Sequence, residues 1–172
     1  MRKNIGCVLW LTGLPASGKS TLAQEVAKAL EARGLAVEQL DGDQIRGVFP
    51  QTGFDRAARN EHIRRVGFLA SRLEKHGVVV VASFISPYKE AREDVRKMCQ
   101  HFYEIYLNTP LEICKSRDPK GLYRKALEGK ITDFTGVQSP YEAPLQAELV
   151  LDTSTLSILE ARDKILALLP LR

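Results

Sequence analysis

Short apolar runs alternate with amphipathic stretches along most of this 172-residue chain. The apolar runs have the length of strands, and they are Cys7 to Thr12, Ala36 to Leu40, Val78 to Ser83, Phe102 to Leu107 and Glu148 to Leu151. Helical periodicity marks five further stretches, namely Lys19 to Arg33, Arg56 to His76, Tyr88 to Gln100, Leu111 to Arg117 and Ser154 to Leu169. Strands that alternate with helices are typical of βα units around a parallel sheet, so the pattern predicts an α/β fold.

The run Val78 to Val81 consists of four valines with no polar residue between them. A strand with one solvated face would alternate apolar and polar residues, so we expect this strand to be central and covered by helices on both faces.

The periodic pattern stops between Gly129 and Ala147, where Gly, Pro and an Asp-Phe-Thr-Gly turn signal occur. Loops of that length in compact domains are usually functional or mobile, so residues 117–146 are predicted to form a mobile lid and acceptor loop.

Length and composition fit a single globular domain over residues 1–172. Hydrophobic residues make up 44% and charged residues 27%, which excludes disordered, collagen-like and disulfide-scaffold classes. No stretch approaches the ~18 apolar residues of a membrane helix, and the basic start Met1 to Asn4 lacks a cleavage site, so neither a membrane partner nor export is expected. Cys7, Cys99 and Cys114 lack metal-ligand spacing and are expected to be reduced thiols, which favours the cytoplasm.

A phosphate-binding motif follows the first predicted strand. Its sequence is GLPASGKST, which has P-loop spacing and stands directly before an amphipathic helix. Glycines let successive N–H groups point at phosphate oxygens, and the helix N-terminus adds its positive dipole end. ATP or GTP binding is predicted, with the lysine on the β and γ phosphates and the following serine on Mg²⁺. The predicted nucleotide-binding residues of the motif are Gly13, Leu14, Pro15, Ala16, Ser17, Gly18, Lys19, Ser20 and Thr21.

Several classes of P-loop protein share this cradle, and the acidic residues help to separate them. The chain has no Asn-Lys-x-Asp guanine motif and no acidic residue closing the VVVVASF strand, where a Walker-B aspartate would stand. Asp41 and Asp43 instead follow the second strand, with Arg46 three residues later. We expect Gly42 to permit a sharp bend, so that one carboxylate faces the phosphates and the other an acceptor molecule. Two solvated turn aspartates are the alternative.

Cations and an aromatic ring gather in the segment GFDRAARNEHIRR, where the second predicted helix begins. Helical spacing places Arg59, Asn60 and His62 near one another beside the helix N-terminus, which favours an anion. Phe54 could stack on a nucleobase. The alternatives are a solvated basic helix face and a Phe54 that only staples the helix to the core.

Two other segments carry side chains suited to a ligand crevice. Ser83 to Pro87 closes the third predicted strand, at the end of a parallel strand where ligands usually bind. Arg117 to Lys125 carries four cations beside an Asp-Pro breaker, and cations on a mobile segment can neutralise charge that develops in phosphoryl transfer. Arg117 is accordingly a predicted ATP-binding residue. A basic, solvent-facing helix start is the alternative.

Six segments together resemble the adenylylsulfate kinase family from Gly6 to Leu169: GLPASGKST, LDGDQIR, GFDRAARNEHIRRVG, SFISPY, RDPKGLYRKA and DFTGVQSPYEAP. The resemblance implies a P-loop fold like that of nucleoside monophosphate kinases, with a five-stranded parallel sheet. It also implies that the γ-phosphate of ATP is transferred to the 3′-hydroxyl of adenosine 5′-phosphosulfate (APS) to give 3′-phosphoadenylyl sulfate (PAPS) in sulfate assimilation. Mg²⁺ is the implied cofactor and a homodimer the usual assembly.

The family's site residues match positions of this sequence. Asp43 and Arg46 resemble the pair that handles the acceptor, and we expect Asp43 to be the base or orienting group and Asp41 a metal or water ligand. Phe54 and Phe134 resemble the two faces of a clamp on the adenine of APS. The remaining matches are Arg59 and Asn60 at the phosphosulfate-binding helix start, Ile85 and Ser86 at the acceptor turn, and Lys120 as the lid lysine.

Ser86 also resembles the serine described in the family as a phosphorylated intermediate. In-line transfer needs no such intermediate, so we expect Lys19 and Asp43 to serve direct transfer while Ser86 contacts the acceptor or the phosphate by a hydrogen bond. Two positions depart from the commonest family pattern. His62, still a predicted acceptor contact, stands where asparagine is frequent, and Arg124 stands where lysine is frequent.

Two other functions remain open on the residues alone. The first is a P-loop kinase for another small hydroxyl acceptor, such as shikimate or gluconate, which would share the phosphate cradle but not the Phe54 and Phe134 clamp. The second is a nucleotide-dependent regulatory or nucleic-acid-binding module, suggested by the net charge of +4. The family resemblance favours a small-molecule acceptor and no nucleic-acid partner.

Overall fold

The computed structural model describes residues 6–49 and 53–170, so the segment Met1 to Asn4 lies outside the described residues. The strands are β1 (Cys7–Gly13), β2 (Val37–Asp41), β3 (Val79–Ser83), β4 (Phe102–Leu107) and β5 (Leu149–Leu151). The helices are α1 (Lys19–Glu31), α2 (Gly42–Val48), α3 (Arg56–Lys75), α4 (Lys89–Met98), α5 (Leu111–Arg117), α6 (Leu122–Leu127) and α7 (Ile158–Leu166). The strands form a parallel sheet in the order β2-β3-β1-β4-β5, which confirms the predicted α/β fold with five strands.

Apolar side chains cover the sheet on both faces. Alternate residues of β1 enter different clusters: Leu9 and Leu11 pack with α1 and α7, while Val8 and Trp10 pack with α3 and α4. The valines of β3 divide between the same two clusters. The absence of polar alternation in the valine run therefore has the expected cause, because a strand buried on both faces has no solvated side.

Capping explains where three helices begin. Asp41 accepts a hydrogen bond from the Asp43 N–H at 3.0 Å and caps α2. Asp118 accepts the N–H groups of Tyr123 and Arg124 at the start of α6. Ser157 forms a capping box with the third helical residue, so α7 begins later than the predicted Ser154. Helices α2 and α6 were not predicted, because α2 contains two glycines and buries no side chain, and α6 has only six residues.

The chain bends at Gly42 as expected, but the bend does not depend on a glycine. The φ angle of this residue is not positive, and Gly42 is the first residue of α2. The chain turns there because the Asp41 side chain caps the helix, and this does not require a glycine. Glycine is needed instead at Gly13, where an added Cβ would lie 2.7 Å from the carbonyl oxygen of Leu107.

The segment from Gly129 to Ala147 has little regular structure, as predicted, and contains an isolated bridge between Thr135 and Ser139. It packs on α5 and α6 through a small cluster of buried side chains, in which the ring of Phe134 meets that of Tyr123 edge to face at 5.0 Å. None of the helices in the described ranges is long and apolar enough to cross a membrane.

Helices α3 and α4 pack closely at Gly67, and this contact generates a test of the packing. A Cβ on Gly67 would lie 2.4 Å from a γ-methyl of the fully buried Val95. We expect Gly67→Ala to lower the free energy of unfolding by about 1–3 kcal/mol in urea denaturation, because a β-branched buried side chain has no room to yield. Gly47→Ala is the control, since a Cβ there meets nothing within 4 Å. Equal losses in both variants would contradict this account.

Candidate active site

The carboxyl ends of the parallel strands meet at one edge of the sheet, and the predicted site residues follow them there. The P-loop comes after β1, the acidic pair after β2 and the Ser86 turn after β3. Thr109 follows β4 and Thr153 follows β5. Ligands of open α/β sheets bind at this edge, so the fold gathers segments that are distant in sequence.

The P-loop encloses the ammonium group of Lys19. Its Nζ donates to the carbonyl oxygens of Gly13 at 3.0 Å and Leu14 at 2.7 Å, and to Ser17 Oγ at 3.3 Å. Burial is the largest influence on this group and lowers its pKa to about 8. A buried cation surrounded by neutral oxygens keeps its attraction for phosphate, because little solvent screens it.

Two threonines support the P-loop from outside. Thr153 Oγ1 donates to the carbonyl of Ser17 at 2.8 Å and also lies 2.8 Å from Thr109 Oγ1. Arg117 donates to Thr153 Oγ1 and to the Thr153 carbonyl at 2.9 and 2.7 Å. The predicted nucleotide contact Arg117 therefore lies beside the P-loop. Thr109 and Thr153 were not predicted as site residues, because a single threonine after a strand belongs to no recognisable sequence motif.

Asp41 lies next to the P-loop and has the oxygen chemistry of a magnesium ligand. Its Oδ2 accepts hydrogen bonds from Ser20 Oγ at 2.7 Å and from Ser83 Oγ at 2.8 Å. Burial alone would raise the pKa of Asp41, but these bonds and the Asp43 N–H hold it below its usual range. Among residues 6–49 and 53–170 there is no cluster of three or more His, Cys, Asp or Glu suited to a metal. One carboxylate and one hydroxyl still suit Mg²⁺, which usually keeps waters and takes phosphate oxygens.

Asp43 meets the lid. Its carboxylate accepts a hydrogen bond from Lys120 Nζ, and both side chains are exposed. Arg46, one turn later, places its guanidinium 4.7 Å from the centre of the Phe54 ring. The two carboxylates thus have different partners, Ser20 and Ser83 for Asp41 and Lys120 for Asp43.

Arg59 ties the two predicted clamp regions together. Its guanidinium donates to the carbonyls of Phe54 and Asp133 and to the hydroxyl of Thr135, and the side chain is buried. Phe54 is 60% exposed, whereas Phe134 is 9% exposed and packs on Tyr123. The family resemblance implies that Arg59 binds phosphosulfate. The structure adds a structural role, since this one side chain contacts the residues on either side of Phe134 and the backbone of Phe54.

His62 is buried without a hydrogen-bonding partner. Its side chain is 2% exposed, both ring nitrogens lack partners, and the ring meets that of Phe84 edge to face at 6.1 Å. Burial, followed by repulsion from Arg46 and Arg65, lowers the pKa of His62 to about 4. The imidazole is therefore neutral near pH 7, with one N–H donor and one acceptor unused.

Ser86 lies within a chain of hydrogen bonds under the site. Its Oγ accepts from Trp10 Nε1 at 3.1 Å and donates to Thr12 Oγ1 at 3.0 Å. Thr12 donates to the carbonyl of Ile85 at 2.8 Å and accepts from the Tyr141 hydroxyl, also at 2.8 Å. The Ser86 backbone has a φ of 40°, unusual for a residue other than glycine. The hydroxyl is thus buried and committed to internal partners.

Two of the predicted site residues, Asn60 and Ile85, direct polar groups at other parts of the protein. Asn60 is buried and directs Nδ2 at Glu90 of α4, 3.4 Å away. Ile85 contributes its carbonyl to Thr12, and its side chain is partly buried. Arg92 donates hydrogen bonds to the carbonyls of Ser86 and Glu142 beside this turn. No sequence pattern predicted a role for Arg92 or Glu142.

Comparisons with known proteins agree with the geometry. A family model described as adenylylsulphate kinase matches residues 5–152. An adenylyl-sulfate kinase of Synechococcus sp. (strain JA-3-3Ab) is 48% identical over 162 residues, which cover 94% of this chain and 92% of that protein. The structure of the Mycobacterium tuberculosis APS kinase CysC in complex with AMPPNP and APS superposes with a TM-score of 0.91 at 40% identity, covering 95% of this chain and 96% of that one.

A more distant likeness shows only the fold. A gluconokinase from Sinorhizobium meliloti superposes with a TM-score of 0.60 at 18% identity, covering 96% of this chain and 92% of that one. The fold is thus shared with a protein of low sequence identity.

The buried His62 predicts acid sensitivity of a defined sign. Its pKa of about 4 in the folded protein lies below the ordinary 6.5. Between these two values, His62 is protonated in the unfolded chain and neutral in the folded chain. The stability linked to neutral His62 is present above pH 6.5 and is lost as the pH falls towards about 4, by roughly 2–3 kcal/mol. We expect His62→Asn to remove this loss when urea unfolding is followed across that range. His76→Asn, at an exposed position, controls for the loss of one histidine. Parallel profiles of wild type and His62→Asn would contradict the prediction.

Proposed function

The chain belongs to the adenylylsulfate kinase family, and on this premise we propose that its site transfers the γ-phosphate of ATP to the 3′-hydroxyl of APS, giving PAPS. The observation that carries the proposal is the arrangement of Asp41 and Asp43. Asp41 bonds to Ser20 of the P-loop, while Asp43 meets Lys120 and neighbours Arg46 on the acceptor side. Donor and acceptor groups thus converge on consecutive turns after β2.

Electrostatic positioning supplies most of the chemistry in this proposal. Lys19 holds a positive charge inside the P-loop, where it would stabilise negative charge on the transferred phosphoryl group. Lys120 and Arg117 bring further cations from the lid. Asp43 would orient the attacking 3′-hydroxyl and accept its proton, because its exposed carboxylate lies on the acceptor side.

We propose that Mg²⁺ is held by Ser20 Oγ and the Asp41 carboxylate, together with phosphate oxygens. The 2.7 Å contact between these two groups supports the assignment, since a shared cation would replace the hydrogen that now joins them. When bound, Mg²⁺ supplies charge neutralisation at the phosphates. Ser83, which also bonds Asp41, would keep the carboxylate in position.

The acceptor adenine would lie between Phe54 and Phe134. Exposure of Phe54 and the common attachment of both regions to Arg59 support this clamp. The sulfate and phosphate of APS would face Arg46 and Arg59. His62, neutral and without partners, would offer the acceptor a hydrogen bond at the position where relatives often have asparagine.

We also propose a homodimer in the cytoplasm. Apolar side chains exposed at the end of α2 and on the outer face of α3 would supply a dimer surface, namely Val48, Phe49, Phe68 and Leu69. The neighbouring Glu61 and Arg65 carry opposite charges that could pair across a two-fold axis. Free thiols at Cys7, Cys99 and Cys114 favour a reducing compartment.

An acceptor panel tests the proposed reaction. ADP release is followed in a coupled assay with APS, gluconate or shikimate, each with and without Mg²⁺. We expect turnover with APS and Mg²⁺ only, because the aromatic and cationic acceptor side suits a nucleotide sulfate. Equal turnover with gluconate or shikimate would overturn the assignment and favour a different small-molecule kinase.

Ser86 provides a second test, because the buried hydroxyl argues for direct transfer. We expect Ser86→Ala to retain turnover and to lose about 0.5–1.5 kcal/mol of transition-state stabilisation, the usual contribution of one hydrogen bond. Rapid-quench measurements should find no phosphoenzyme. Ser71→Ala, on the exposed surface of α3, is the control. An inactive Ser86→Ala together with a phosphoserine that forms and decays at the rate of turnover would make Ser86 the nucleophile.

A further inference from the structure

Arg92 of α4 is a buried cation that contacts three separate parts of the chain. Its Nε donates to Glu104 of β4 at 2.7 Å, Nη1 donates to the Ser86 carbonyl at 2.6 Å, and Nη2 donates to the Glu142 carbonyl at 2.6 Å. The side chain is 3% exposed. Burying an ion pair costs desolvation energy and contributes little net stability. The planar fork, by contrast, fixes its partners geometrically.

Glu142 is the second centre of this cluster. Its carboxylate accepts from the Lys89 N–H at 2.9 Å and from Arg56 at 3.0 Å, and its N–H donates to the Pro87 carbonyl at 2.8 Å. Hydrogen bonding by the Lys89 N–H, with the nearby arginines, holds the pKa of Glu142 below its usual range. Glu142 thereby joins the starts of α3 and α4 to the turn after β3.

The contacts of Arg92 and Glu142 surround a strained turn. Ser86 has a φ of 40°, a conformation that non-glycine residues keep only where their surroundings impose it. The Arg92 guanidinium holds the carbonyl of Ser86, and the backbone N–H of Glu142 holds that of the next residue. Tyr141, adjacent to Glu142, bonds Thr12 at the end of β1. Arg92 and Glu142, together called the brace, thus connect the lid loop to the acceptor turn, and the adjacent Tyr141 connects the lid loop to the strand that precedes the P-loop.

We propose that Arg92 and Glu142 are positioning residues for the acceptor: they hold the Ile85 to Pro87 turn in its strained form and fasten the 129–147 loop to it. The proposal rests on the proposed function, because the turn matters to catalysis only if APS binds against it. Neither side chain touches the P-loop in the contacts described above, so the brace should govern APS and leave ATP binding largely alone.

Arg96 offers a matched control on the same helix. It lies one turn after Arg92 and also contacts Glu104, but its other partner is Glu148 rather than the acceptor turn or the Glu142 loop. Arg92→Lys keeps the charge and removes the fork that reaches two carbonyls at once. Arg96→Lys makes the same chemical change away from the turn.

Steady-state kinetics with purified full-length protein test the proposal. We expect Arg92→Lys to raise the KM for APS about tenfold or more while the KM for ATP stays within about twofold, because small displacements of an acceptor are costly. Arg96→Lys should leave both constants within about twofold of wild type. Glu142→Gln, at a partly exposed side chain, should raise the KM for APS in the same direction and guards against a folding defect in Arg92→Lys.

Two results would overturn the brace. A wild-type KM for APS in both Arg92→Lys and Glu142→Gln, with only a lower denaturation midpoint, would make the cluster purely structural. Equal increases in the KM for APS and for ATP would remove its specificity for the acceptor. A wild-type protein that does not turn over APS would instead overturn the proposed function, and the brace with it.

Discussion

The complete burial of β1 is the constraint on which the rest of the site depends. All seven residues of this strand are buried, and its neighbours on both sides are parallel strands. A shift of one residue would move every β1 side chain into the opposite cluster, where it would have to pack against different helices, so the register is strongly specified. The end of β1 is consequently a fixed reference: Trp10 holds the Ser86 hydroxyl, Thr12 holds the Ile85 carbonyl and the Tyr141 hydroxyl, and the Gly13 carbonyl holds Lys19.

Buried cations around this reference are treated in two different ways. Lys19 and Arg59 are surrounded by carbonyl and hydroxyl oxygens, which orient them without neutralising their charge. Arg92 is paired with the buried carboxylate of Glu104. The first arrangement suits a site that receives phosphate and sulfate groups, since the anions themselves complete the electrostatic balance. The second suits a residue that holds protein segments in place.

Local sequence determined the parts of the site whose chemistry lies in consecutive residues. The P-loop is recognisable because its glycines, lysine and serine have a fixed spacing between a strand and a helix. The five strands and five of the helices follow from periodicity, with boundaries that differ from the structure by a few residues at most of their ends. Helices α2 and α6 were not predicted, because α2 buries no side chain and α6 has only six residues, so neither shows an apolar period along the sequence. The role expected of Gly42 was wrong because the Asp41 cap, and not the glycine, makes the turn.

What the sequence by itself determined is therefore the fold class, the phosphate cradle and, through its motifs, the family. Tertiary structure alone decided which side chains remain available to a ligand. Ser86 looked accessible after its strand, yet it is buried between Trp10 and Thr12, 76 and 74 residues away along the chain. Arg92 and Glu142 carry no motif, and their contacts span 50 residues. Hydrogen bonds of this kind depend on how the strands are ordered in space, and residue spacing along the chain contains no record of that order.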